Sequence, residues 1–306
     1  MNTEDENPVP LEPSDPAEAA LGSAGGSELP GSPALELAPS TVPVFPPPLL
    51  RPLPNDLRVP WDWIDLLLLL LISFCAIFCL SFLFALGMGL FGMNAAQMQK
   101  SVAVRNLFSV IVQIALDLFL LGYLAAQMRI RFRSPFWRTI GWRPLEMDGP
   151  SRALIYGALV FAGIFLQALV TAASSAFAPK RQLPIQAVLE DPHASILFML
   201  VAVLIAPVVE EIVFRGYIYP VIARTFGVTP SILATGALFG LLHAPQLWGG
   251  WWQISLLILV GVIFTLVRAV SKTVVTSYIL HTSYNSVQII AWLIGTYGLR
   301  HPRLGH

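Results

Sequence analysis

The sequence predicts an all-α fold: a polytopic membrane helical bundle of about seven or eight transmembrane helices around a polar intramembrane cavity. Three observations carry this. Of the 306 residues, 56% are hydrophobic and only 12% are charged, against about 25% in soluble domains. Mean hydropathy is +0.70. The apolar residues also gather in long runs, and a bilayer tolerates such surface because a helix satisfies its own backbone groups. The formal net charge of zero leaves no electrostatic footprint for nucleic acid, so none is expected as a partner.

Residues 1–60 hold 14 of the 25 prolines, together with nine Asp or Glu and only Arg51 and Arg58 as basic residues. Such a segment buries too little apolar area to offset its ordering entropy. It reads as a disordered Pro-rich cytoplasmic tail, with polyproline character at VFPPPL, 44–49. It lacks the basic start and apolar core of a signal peptide.

The first spanning run extends from about Trp63 to Phe91, with Trp61 and Trp63 as interfacial anchors. Cys75 and Cys79 lie within it. Four apart on one helix, they are poorly aimed for a disulfide and read as small packing residues. A second run covers 102–127. The connection after it, RIRFRSPFWRTIGWRP, carries Arg129, Arg131, Arg133, Arg138 and Arg143. A short loop this basic stays on the cytoplasmic side, which places the amino terminus there too. Residues 61–150 thus read as amino-terminal transmembrane helices with a basic cytoplasmic loop. A third run covers 153–178. The stretch 184–193 is too short and polar to span and reads as an interfacial helix or loop. Further runs follow at 195–222, 231–247, 254–270 and 274–296, the fifth and sixth being short for a core of about 30 Å. Tryptophans of QLWGGWWQ, 246–253, suit an interface, or a grip on a lipid or substrate chain.

Three polar groups interrupt the later runs. The first is VVEEIVFRGY, 208–217. On an α-helix Glu211 and Arg215 stack one turn apart, while Glu210 faces elsewhere without a partner in its own helix. One carboxylate is then structural and the other is available for proton transfer. A purely structural ion network would leave a charge uncancelled at membrane depth. The second group is FGLLHAP, 239–245, where Phe239 and His243 share a face and Pro245 ends or kinks the helix. The third is LHTSYN, 280–285, where His281 and Asn285 are again four apart.

Two hydrolytic chemistries fit these residue types. Glu210, His243 and His281 can form a zinc site with a position open for water. Alternatively, Glu210 acts alone as general base on water while the histidines and Asn285 stabilise an oxyanion. No Ser or Cys lies in a nucleophile context, and HExxH is absent. Other classes stay open. A proton-coupled transporter would use the same residue types as a relay, although clustering in one half and the lack of an internal repeat disfavour it. A non-catalytic membrane protein of bacteriocin self-immunity is a third reading.

EEIVFRG at 210–216, FGLLH at 239–243 and HTSYN at 281–285 resemble, in order and spacing, the EExxxR, FxxxH and HxxxN motifs of the CAAX protease and bacteriocin-processing (Abi) family, which includes the type II CAAX prenyl endopeptidase. The resemblance covers about 195–295, and TIGWRP before the third run is similar to a juxtamembrane segment of that family. It implies an intramembrane protease core within 151–300. By the resemblance, Glu210 activates water and Glu211 and Arg215 hold it in place. His243 contacts the water or a metal, His281 and Asn285 bind the oxyanion, and Phe239 supports them. Zinc, if used, would sit on Glu210, His243 and His281; the metal-free route is preferred because His281 pairs better with Asn285 than as a ligand. The implied partners are the lipid bilayer and a lipidated or short peptide or membrane-protein substrate. The expected location is a bacterial plasma membrane.

Overall fold

A computed structural model describes residues 54–93, 100–177 and 182–295, with side chains throughout except at 192, 292, 293 and 295. Most of the proline-rich tail, 1–53, including its polyproline stretch, lies outside the described residues.

The described residues are helical, without strands. Helix α1 is Trp63–Leu90, α2 Val102–Arg131 and α3 Gly149–Phe177. The short helix α4, Pro184–Glu190, occupies the stretch read as interfacial. Helix α5 is His193–Phe226, α6 Val228–Leu242, α7 Trp251–Ser271 and α8 Val274–Gly295. Five of these (α1, α2, α3, α5 and α7) are long and apolar enough to cross a membrane, and α6 is apolar but shorter. Helix α8 has the length, but its polar residues, His281 and Asn285 among them, keep it out of that set.

Their surfaces are those of elements solvated by lipid. Along α1, Leu67, Phe74, Phe78 and Phe82 point outward. Cys75 and Cys79 are exposed on the same helix, so they face the surroundings and do not pack as expected. The start of α1 is fixed by a reciprocal cap: Asp62 accepts the Ile64 and Asp65 N–H groups, and Asp65 accepts the Asp62 N–H.

Helix α5 is not a regular α-helix. Val201–Ile205 and Glu211–Ile218 are π-helical: the Ala206 N–H reaches the Val201 carbonyl and the Tyr219 N–H reaches Phe214, both five residues back. Pro207 and Pro220 follow these segments and supply no N–H of their own. Widened turns of this kind concentrate at functional positions.

Glycines bring the helices of the site together. A Cβ on Gly236 would lie 2.5 Å from Val262 N, and one on Gly240 would lie 2.7 Å from Ile258 N. Helices α6 and α7 thus meet backbone to backbone along a small-xxx-small stripe. A Cβ on Gly163 would lie 2.5 Å from the Leu280 carbonyl, which seats α3 against α8. Gly216 abuts Ile140, in the TIGWRP loop.

The last residues of the segment expected to be disordered, 54–60, are ordered. Leu57 is buried. Asp56 pairs with the buried Arg268 at 3.0 Å, and the Arg224 guanidinium donates to the Val59 and Trp61 carbonyls. Trp61 is fully buried rather than interfacial. Its ring stacks on Tyr217 at 4.8 Å, and its Nε1–H donates to the Tyr217 carbonyl at 2.9 Å.

Candidate active site

Glu210 and Glu211 lie in different surroundings, as neighbours in sequence point to different faces of a helix. Glu211 and Arg215 are both fully buried. Arg215 Nη1 donates to Glu211 Oε1 at 3.0 Å, Nη2 to the Gly261 carbonyl at 2.9 Å and Nε to Thr265 Oγ1 at 3.3 Å. The guanidinium also lies 4.6 Å from the Phe239 ring centroid. A desolvated charge needs such saturation, and close helix packing at Gly261 lets Arg215 reach that carbonyl.

The Glu210 side chain keeps 21% of its surface exposed. Its Oε1 lies 3.6 Å from His243 Nε2 and its Oε2 lies 3.6 Å from His281 Nε2. The other nitrogen of each imidazole is engaged. His243 Nδ1 bonds the Phe239 carbonyl at 2.8 Å, one turn back at the end of α6, and His281 Nδ1 bonds Glu211 Oε1 at 3.0 Å. A carbonyl and a carboxylate can only accept, so both histidines carry their proton on Nδ1 and turn Nε2 toward Glu210. Phe239 packs between them, its centroid 4.8 Å from His243 and 5.7 Å from His281.

Six of the seven residues singled out from sequence therefore meet: Glu210, Glu211, Arg215, Phe239, His243 and His281. Asn285 is engaged elsewhere. Its Nδ2 donates to the Ala202 carbonyl at 2.8 Å. Ala206 already bonds Val201, so in this register the next donor would be residue 207, a proline without an N–H. Asn285 fills that vacancy, and one amide hydrogen remains.

The residues do not assemble as a metal centre. Among the described residues, no three His, Cys, Asp or Glu side chains form a group that could hold a metal ion. Glu210 does approach each histidine, but the zinc expectation finds no donor set in this arrangement.

Sequence reasoning placed all the intramembrane chemistry in the last hundred residues and missed two carboxylates in the first two spans. Asp65, on α1, is buried. It accepts from Gln127 Nε2 at 3.1 Å and pairs with Arg131, while Gln127 accepts from the Tyr217 hydroxyl at 2.7 Å. Asp117, on α2, is also buried. Gln113 donates to its Oδ1 at 2.8 Å, and its Oδ2 has no partner among the described residues. Helix α2 packs on the turn of α5 that ends at Glu210. Lone acids inside the apolar runs were the signal in both cases. A cavity of about 360 Å³ lies at the basic end of the bundle.

Helices long and apolar enough to cross a bilayer define an integral membrane protein, and within it a partly open carboxylate lies between two oriented imidazoles. The model of the family described as type II CAAX prenyl endopeptidase Rce1-like matches residues 192–287, a stretch that contains all seven motif residues. Over that stretch the chain is similar to this family. No curated protein and no solved structure matches the chain.

Proposed function

We propose that this protein is an intramembrane endopeptidase that cleaves near the end of a lipidated or membrane-held peptide chain, with Glu210 as general base. The observation that carries the reading is the placement of both Glu210 oxygens 3.6 Å from an imidazole Nε2. That gap is too long for a good direct hydrogen bond, so each Nε2 is free to accept from a water lodged beside the carboxylate, and once protonated to donate to a carbonyl oxygen.

Glu210 takes a proton from water as the water oxygen bonds to the scissile carbonyl carbon. His243 Nε2 orients that water. The negative charge passes to the carbonyl oxygen, where His281 and the remaining amide hydrogen of Asn285 stabilise it. His281 donates from Nε2 when it carries a second proton. In that state Glu210, Glu211, Arg215 and His281 together sum to zero charge, which suits burial at membrane depth. The tetrahedral intermediate then collapses. The C–N bond breaks, the proton on Glu210 goes to the leaving amine, and a carboxylate and an amine result. Glu211 and Arg215 position His281 and do not touch the substrate. The basic loop Arg129–Arg143 supports an orientation with this loop and the amino terminus in the cytoplasm.

The test uses full-length protein in liposomes and a fluorogenic farnesylated peptide. Glu210→Gln is expected to lower turnover by about 10²-fold or more while thermal stability stays near wild type. Cleavage by Glu210→Gln at the wild-type rate would overturn the reading. Activity that survives chelation, in protein free of bound transition metal by elemental analysis, supports the metal-free route; loss on chelation and rescue by zinc would overturn that route alone.

A further inference from the structure

The end of the bundle where α1 begins and α2 ends holds a feature that proteolysis leaves unused. Asp56, Arg58 and Val59 face Arg138, Thr139 and Arg143 across the cavity of about 360 Å³, a volume in the range of small-molecule sites. Three guanidinium groups and one carboxylate line it. Asp56 does not balance Arg138 and Arg143, because it is committed to Arg268, which is itself buried outside the lining. Arg143 has Glu146 at 3.9 Å, with the Glu146 side chain 89% exposed, and such surface pairs contribute little. Arg138 has no side-chain hydrogen bond or ion pair among the described residues.

The walls are held in place. The Gly141 carbonyl accepts the Val274 N–H at 3.0 Å and the Thr273 hydroxyl at 3.2 Å. Gly141 itself has φ +83°, and a Cβ there would meet Arg268 Nη2 at 3.4 Å. Trp63 at the start of α1, Ile130 at the end of α2 and Trp137 beside Arg138 are 40%, 77% and 50% exposed. Exposed tryptophans at helix ends mark the headgroup level of a bilayer.

We propose that this cavity is a phosphate-binding site. Planar guanidinium groups match phosphate oxygens in pairs, and basic pockets beside helix ends at the headgroup level take phosphate-bearing headgroups. The phosphate comes from an anionic lipid or from solution, and the two sources are separable by experiment.

Full-length protein is studied in two settings. In nanodiscs, phosphatidylcholine alone is compared with phosphatidylcholine doped with phosphatidylglycerol. In detergent, inorganic phosphate is compared with chloride at matched ionic strength. Melting temperature and retained phosphorus after delipidation are the readouts. Stabilisation by phosphatidylglycerol that weakens about tenfold or more in apparent affinity in Arg138→Gln and in Arg143→Gln establishes the site with lipid as its source. The same pattern with inorganic phosphate alone establishes a soluble source. Arg138→Lys keeps the charge, removes the fork and should also weaken binding, which guards against a misfolded Arg138→Gln. Arg129→Gln, outside the cavity lining, should bind like wild type. No response in wild type, or an equal loss in Arg129→Gln, overturns the proposal.

Discussion

His281 Nδ1 lies 3.0 Å from Glu211 Oε1, on the same oxygen that Arg215 Nη1 engages at 3.0 Å. One buried carboxylate oxygen thus fixes both the guanidinium of its own helix and the imidazole of α8. With Nδ1 held, Nε2 of His281 is turned to Glu210. One nitrogen of the ring is bonded to Glu211 and the other is turned toward Glu210.

Glu211→Gln should therefore damage fold and site together. It leaves Arg215 fully buried without its counter-charge, which costs about 3–5 kcal/mol. Melting in detergent should show a large drop. The milder Glu211→Asp, which keeps the charge but shortens the reach, should lose turnover with a smaller stability loss. A Glu211→Gln protein that melts with wild type would remove the assigned role of Arg215.

Asn285→Ala orphans the Ala202 carbonyl and should cost about 1–3 kcal/mol. The cause assigned to that vacancy is the missing N–H of Pro207, which makes the effect testable by a cycle. In a Pro207→Ala background the restored N–H can serve Ala202, so Asn285→Ala should cost measurably less. Equal costs in both backgrounds would show that Pro207 has nothing to do with it.

Gly240→Ala puts a methyl group 2.7 Å from Ile258 N, and a backbone atom in a packed helix cannot step aside. Helix α6 must shift, at about 1–3 kcal/mol. Because His243 caps that helix, turnover should fall further than stability implies; a displacement of about 1 Å can cost about 10²-fold. Gly157→Ala is the control, since nothing lies within 4 Å of its added methyl. Activity of Gly240→Ala equal to that of Gly157→Ala would contradict the close α6–α7 contact.

Trp61→Phe keeps a ring to stack on Tyr217 but loses the donor to the Tyr217 carbonyl. A destabilisation of about 1–3 kcal/mol is expected, read by thermal or denaturant unfolding. A neutral result would mean that residues just before α1 do not brace the π-helical segment.

Part of this site was legible because helix geometry alone dictates it. Glu211 with Arg215, and Phe239 with His243, are four apart, and covalent geometry makes such residues neighbours whatever the tertiary fold. Their contacts follow as expected, at 3.0 Å and, through the Phe239 carbonyl, 2.8 Å. The same rule did not reveal the partner of Asn285: it lies one turn from His281, yet its amide donates to a carbonyl 83 residues away. Asp65 and Asp117 were overlooked because neither belongs to a spaced motif, and Trp61 was read from its position at a span boundary instead of from what packs on it.

By itself the sequence determined the solvent and the local pairings. Its long apolar runs demand lipid, and charges spaced by one helical turn find each other within their own helix. The tertiary structure decided which helix faces meet. Glycine contacts at 163, 216, 236 and 240 set how closely the helices approach, and the π-helical turns after Val201 and Glu211 set which way α5 points its side chains. Both depend on shape complementarity and backbone register between segments far apart in the chain, quantities that no spacing within one helix encodes.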